Sequence, residues 1–210
     1  MKEKIDSNTE DLLEVLCNSV QRVLKISTQT EITSPLIAQK ITSIGLNPDI
    51  ACFVVVEGGF SGLAVLNFSE DAAMEIYKKY MLSMGMPEDE LATQHTSDDV
   101  ADSLGELINQ IFGDFRMNLE KELQITINQN VPKMITLNEA IVISRASTIT
   151  VPEYRRVAFF TEEHKPFYLQ ISMEDTNFMA LSSSKDVDDD NDYNDVVDDD
   201  PNDIMAEFGF

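Results

Sequence analysis

Asp102, Glu106 and Asn109 stand four and three residues apart within Asp98 to Glu122, a segment whose apolar spacing predicts one long helix. Intervals of three and four place side chains on one helix face. The face would carry two carboxylates and a carboxamide in a row. The Asn109 amide offers one acceptor and two donors and does not titrate, so it can hold a water molecule. Gly113, four residues further on, continues the row with no side chain at all. At ~100° per residue, Val100, Leu104, Ile108, Ile111 and Phe115 fall on the opposite side as an apolar stripe.

Two readings of that polar row stand level on the residues alone. A solvated helix face is expected to be polar, and periodicity does not distinguish it from a functional one. Against it, Gly105 and Gly113 each cost a helix interior about 1 kcal/mol relative to Ala. An ordinary exposed face would use Glu, Lys or Ala instead. Glycine on such a stripe lets another backbone or side chain approach closely.

Other chemistries lack their residues. Gly58-Gly59-Phe60-Ser61-Gly62 is not a nucleophile elbow, because Leu63 stands where the last glycine belongs, and it matches no phosphate-binding loop. It reads as a glycine-rich hairpin turn. His95 and His164 have no partner at metal-ligand spacing. Cys17 lies on an apolar helix and Cys52 on an apolar strand, where packing is the default. Asp186, Asp188 and Asp190 imitate the start of a calcium loop, but Asn191 and Val197 replace its glycine and its glutamate. No metal or cofactor is expected on this chain.

The composition sets the context for that helix. The chain has 210 residues, with 38 Asp and Glu against 15 Lys and Arg, for a formal net charge of -23. Such a charge disfavours nucleic acid and anionic lipid as partners. No apolar run approaches the roughly 18 residues of a membrane span, and the charged first residues lack a secretory apolar core. With two cysteines, a cytoplasmic protein without a disulfide framework is expected. Between Asp186 and Phe210 lie 11 of the acidic residues and no Lys or Arg. Residues 1–174 are therefore read as a folded domain, and 175–210 as a disordered acidic tail that cannot bury enough apolar surface to offset its ordering entropy. The apolar end, Asp203 to Phe210, reads as a short docking peptide.

The elements that must position the stripe follow from periodicity. Leu12, Leu13, Leu16, Val20, Val23 and Leu24 predict a helix over residues 8–25. Residues 31–43 read as a short strand or irregular segment, with Pro35 against a central strand. Ile50–Val56 and Gly62–Phe68 predict a hairpin. Ser69 and Ser97 read as N-caps of helices running to about Met84 and Glu122. Strands are expected over Met134–Ser144, Arg155–Thr161 and Phe167–Met173. This order predicts an α+β fold of two layers, a mostly antiparallel sheet with long helices on one face.

Asp102-Ser-Leu-Gly-Glu106-Leu-Ile-Asn109, followed by Pro132 after 22 intervening residues, resembles the motif of the CheX/CheC/FliY chemotaxis phosphatases. The spacing to Pro132 is what makes the match specific. Gly113 also fits the family, as do the hairpin ending Leu-Asn-Phe-Ser69-Glu and the Ala72-Ala73 pair opening the next helix. The resemblance spans roughly residues 8–174. CheC-like members carry the motif twice, whereas the first helix here offers only Asp11, Glu14, Cys17 and Asn18, so one copy remains, as in CheX.

The resemblance implies a sheet with two long helices, a homodimer formed through the sheets, and hydrolysis of the aspartyl phosphate on a CheY-type receiver. It implies that Asn109 orients the attacking water and Glu106 pairs with the receiver's lysine. Asp102 and Gly113 would meet the partner, and Pro132 would be structural. Mg²⁺ would reside on the receiver. A non-catalytic module that binds a receiver, or a flagellar-switch subunit, is the alternative.

Overall fold

The computed structural model describes residues 6–35, 37–143, 152–174 and 178–179. The proposed tail, apart from residues 178–179, lies outside the described residues, as do the calcium-loop imitation and the apolar end.

The chain begins with a two-residue strand, β1 (Asp6–Ser7), and the helix α1 (Thr9–Thr28). Asn8 caps α1, its side chain accepting from Glu10 and Asp11 while the Asp11 carboxylate accepts from the Asn8 amide. This reciprocal box satisfies N–H groups that a helix start leaves without partners. β2 (Gln39–Lys40) and β3 (Ile44–Leu46) follow, then the hairpin β4 (Ile50–Gly58) and β5 (Gly62–Phe68). Ser69 caps α2 (Glu70–Ser83), and Ser97 caps α3 (Asp98–Asn118). A single π-helical turn, Leu119–Leu123, extends α3 to the expected end.

The second half contributes β6 (Ile127–Gln129), β7 (Lys133–Thr136), β8 (Ile141–Ile143), β9 (Glu153–Phe160), β10 (Pro166–Met173) and β11 (Phe178–Met179). The main sheet is antiparallel, in the order β2-β9-β10-β5-β4, with β6 and β7 both on the far edge of β4. β1 and β11 form a separate pair.

Alternation along the strands divides the residues between two faces. Ile50, Cys52, Val54 and Val56 of β4, with Leu66, Phe68, Phe167 and Phe159 of the next strands, share one core with all three helices. Phe159, Phe167 and Phe68 stack across β9, β10 and β5 at 5.3 and 5.2 Å between ring centroids. The α+β architecture with helices on one face is as expected.

The other face carries a feature that periodicity does not reveal. Met134–Ser144 is not one strand. Leu137 makes the last bond to the β4 side, from its amide to Asp49 O at 2.9 Å, and beyond it β4 has no further residue to pair with. The chain bends, and β8 pairs with β3 in a ribbon of its own. That ribbon covers Ala51, Leu63 and Val65. Gly45 is bound at both backbone groups, its N–H donating to Gln170 and its carbonyl accepting from Asn67. Among the described residues no helix is long and apolar enough to cross a membrane.

Candidate functional site

α3 is held by its apolar side. Val100, Leu104, Leu107, Ile108, Ile111, Phe112 and Phe115 are all at most 1% exposed. Burying this many large side chains fixes the rotation of the helix about its axis. The opposite row is thereby turned outward, with Asp102, Glu106 and Asn109 exposed and Gly113 half-buried. Nothing lies within 4 Å of where a Cβ on Gly113 would be, so the notch is open. A Cβ on Gly105 would meet Met134 Cγ at 3.6 Å, an ordinary contact, so space alone does not demand glycine there.

The exposed row is tied on both flanks. On the α1 side, Gln110 Nε2 donates to Glu106 Oε1 at 3.0 Å, and Ser27 Oγ on α1 reaches Gln110 Oε1 at 3.4 Å. One turn on, Arg22 of α1 grips both oxygens of Asp114, with Nε at 3.2 Å from Oδ1. This hydrogen bond to Asp114 holds the Arg22 guanidinium even more firmly charged than usual. On the other flank Gln129 of β6 donates from Nε2 to Asn109 Oδ1 at 3.5 Å. Gln129 Oε1 is buried and has no partner among the described residues. An orphaned buried acceptor typically costs about 1–3 kcal/mol.

Pro132 occupies a defect in the same edge. Gln129 stands opposite Val56 and Lys133 opposite Phe53, so Asn130, Val131 and Pro132 span what Val54 and Val55 span on β4. One extra residue in one strand is a β-bulge. Asn130 closes it, its amide donating to Val55 O and its Oδ1 accepting from Val55 N at 2.7 Å. Pro132 has no N–H to lose from the ladder, which suits a bulge. Gly58, the end of β4, has φ +133°, and a Cβ there would meet Thr126 O at 2.8 Å; the glycine lets the start of this edge segment lie against the hairpin.

The remaining candidates are quiet. Burial pushes the Cys17 thiol up to about 12, helped by the Glu14 carboxylate, and burial pushes Cys52 equally far. Neither is a nucleophile at neutral pH. His95 Nδ1 lies 3.0 Å from Glu70 Oε1, linking the loop before α3 to the start of α2. Among the described residues no three His, Cys, Asp or Glu side chains are grouped to hold a metal ion. A cavity of about 430 Å³ opens beside α1, lined by Leu13, Cys17, Arg155 and Val157 among others. No residue of the polar row lines it. The row is an exposed helix face outside that cavity.

Asp102, Glu106, Asn109 and Gly113 are thus brought together on one helix, with Pro132 in the bulge between β6 and β7. Gln129, Gln110, Asp114 and Arg22 were not legible as their neighbours. Gln129 and Arg22 come from β6 and α1, so no spacing rule joins them to the row. Gln110 is one turn from Glu106 on α3, but the interval alone does not separate it from any other polar residue of the helix.

The DUF3334 family, described as proteins of unknown function, matches residues 2–207. The chain belongs to that family. No curated protein matches it. Among solved structures, this DUF3334 member is similar to the chemotaxis protein CheX from Desulfovibrio desulfuricans, with 19% identity and a TM-score of 0.63 over 78% of this chain and 99% of that one. The CheX–CheY–BeF3–Mg²⁺ complex from Borrelia burgdorferi matches at 18% identity and a TM-score of 0.57, over 79% of this chain and 99% of that one. FliY from Thermotoga maritima matches at 21% identity and a TM-score of 0.56, over 77% and 86%. The fold is that of the CheX, CheC-like and FliY proteins.

Proposed function

We propose that this protein hydrolyses the aspartyl phosphate of a CheY-type receiver domain in chemotaxis or related two-component signalling. The observation that carries the reading is the exposed row Asp102, Glu106 and Asn109 on α3, ending in the open notch at Gly113, in a CheX-type fold. The Borrelia burgdorferi CheX structure contains CheY with BeF3 and Mg²⁺, which supports a receiver as the partner.

The chemistry suits these residues. Phosphoryl transfer has a loose transition state, so catalysis rests on placing the water and stabilising charge. In this reading the receiver brings Mg²⁺ and a lysine. Asn109 enters its phosphorylation site and aligns a water in line with the phosphorus, accepting a water proton at Oδ1. Being uncharged, the amide adds no repulsion towards the phosphoryl group. Glu106, on the same face, meets the lysine. The ammonium would then be held between the Glu106 carboxylate and the phosphoryl group, and the receiver would be fixed in one orientation. Asp102 extends the contact, and Gly113 lets the receiver backbone come close.

The test is phosphate release from a Mg²⁺-loaded, phosphorylated CheY-type receiver with and without the protein. Multiple turnovers are expected, slowed by about 10² or more in Asn109→Ala and also reduced in Glu106→Ala. No acceleration across the receivers of the source cell would sink the reading and leave a receiver-binding module in its place.

A further inference from the structure

We infer that Gln129 is a positioning residue for Asn109, fixing which end of the Asn109 carboxamide faces a bound water. The inference rests on the reading of Asn109 given above. An exposed asparagine on a helix can turn about χ1 and χ2, and its amide presents an acceptor at one end and donors at the other. A water aligned by the oxygen is misaligned by the nitrogen. Something must therefore choose the orientation before the receiver arrives.

Gln129 makes that choice. Its Nε2 can only donate, and it faces Asn109 Oδ1 at 3.5 Å. The oxygen end is drawn towards β6, Nδ2 is turned away, and one lone pair of Oδ1 stays open for a water proton. Glu106 is engaged on the opposite flank by Gln110, so the two motif residues are tied in different directions and do not collapse onto each other.

Two further observations single Gln129 out. Its Oε1 is buried without a partner among the described residues. An apolar side chain would suit that position better, so the amide is kept at a local disadvantage, and such violations are expected where function requires them. The second is strand parity. Gln129 lies opposite Val56 and Met134 opposite Cys52, and both β4 residues belong to the helix-side core. Residues 129 and 134 are five apart, and in an unbroken strand they would point to opposite faces. The extra residue at Asn130–Pro132 puts both on the α3 side. The interval from Asn109 to Pro132 in this chain then has a physical meaning, because the bulge seats a donor beside the asparagine.

The test compares the full-length wild-type protein, Gln129→Leu, Asn109→Ala and the double variant in steady-state phosphate release from a Mg²⁺-loaded phosphorylated receiver, with thermal stability measured in parallel. Gln129→Leu should lower kcat about tenfold or more with KM unchanged, while Tm holds or rises because the orphaned oxygen is gone. In the Asn109→Ala background the same change should have no further effect, since the residue it positions is absent. Wild-type kcat in Gln129→Leu, or an equal loss in both backgrounds, would overturn the inference.

A second readout needs no turnover. In ¹⁵N spectra the Asn109 side-chain amide pair should move to the position of a freely solvated asparagine in Gln129→Leu, with the α3 backbone signals unmoved. An unchanged pair overturns the contact itself. If the wild-type protein fails to release phosphate yet the pair moves, the phosphatase reading falls and the positioning of Asn109 stands.

Discussion

α1 and α3 are neighbouring helices of 20 and 21 residues, each started by a side-chain cap, and both buried against the same sheet face. Each carries a glutamate followed three residues later by a small polar or thiol side chain, Glu14 and Cys17 on one, Glu106 and Asn109 on the other. Of the two, only α3 leaves both members of that pair exposed. Cys17 is 3% exposed and belongs to the core, where Leu12, Leu13, Val15, Leu16, Ser19 and Val20 make a wide buried arc. α3 buries a narrower arc and leaves its polar row on the outside. The strands differ too. β9, flanked by β2 and β10, runs unbroken against β10 from Glu153 to Phe160, whereas the edge beside β4 is interrupted by the bulge between Gln129 and Lys133. An exposed polar row with a side-chain neighbour from the sheet therefore depends on the rotation of the helix and on the adjoining strand, and a helix with the right spacing is not enough.

The comparison is sharpened most by removing the amide on α3. Asn109→Ala should slow phosphate release by about 10² or more with receiver affinity little changed, as read by steady-state kinetics and by titration with the receiver. Asn18→Ala, the matching exposed deletion on α1, should leave the rate at the wild-type level. Equal losses from both would erase the distinction between the helices.

Gly113→Ala should separate stability from partner contact. The notch is open, so the added methyl meets nothing, and the helix should gain up to about 1 kcal/mol in denaturant unfolding. Receiver binding should weaken at the same time. Unchanged binding would remove Gly113 from the contact surface.

The caps should behave alike on the two helices. Ser97→Ala and Asn8→Ala should each cost about 1 kcal/mol, measured from the shift of the urea midpoint. A much larger loss for one would show that its cap also anchors tertiary contacts.

Thiol titration should set α1 apart in a different way. Both thiols are raised by burial to about 12 in the folded protein from an ordinary value of 9.0. The unfolded chain ionises first, so this contribution to stability is complete below pH 9 and is lost as pH rises towards 12. Cys17→Ala should make unfolding less dependent on pH in that window. A thiol reagent at pH 8 should label neither cysteine until the protein unfolds.

The smallest effect belongs to the tie between the helices. Arg22→Ala should cost about 1 kcal/mol or less, because the Arg22 side chain is 44% exposed and water screens its pair with the half-buried Asp114.

Much of this was legible in the residues. The apolar intervals of Leu12 to Leu24 and of Val100 to Phe115 mark α1 and α3, Ser69 and Ser97 mark helix starts, and the glycines after Val56 mark the β4–β5 turn. These signals are local, set by side chains within one or two turns of each other. The split of Met134–Ser144 was not legible, because it depends on where β4 begins, at Ile50, far earlier in the chain. Gln129 was not legible either. Nothing within its own strand distinguishes it from any other polar edge residue.

The sequence by itself determined the periodicities, the caps, the charge distribution and the Asp102-Glu106-Asn109 row, since each is a matter of residue type and interval along one segment. The tertiary structure alone decided that this row faces outward while Cys17 faces inward, and that a bulge places Gln129 against Asn109. Those outcomes depend on how the sheet and three helices bury their apolar sides together. They are minima of the packing of the whole domain, and no single segment contains them.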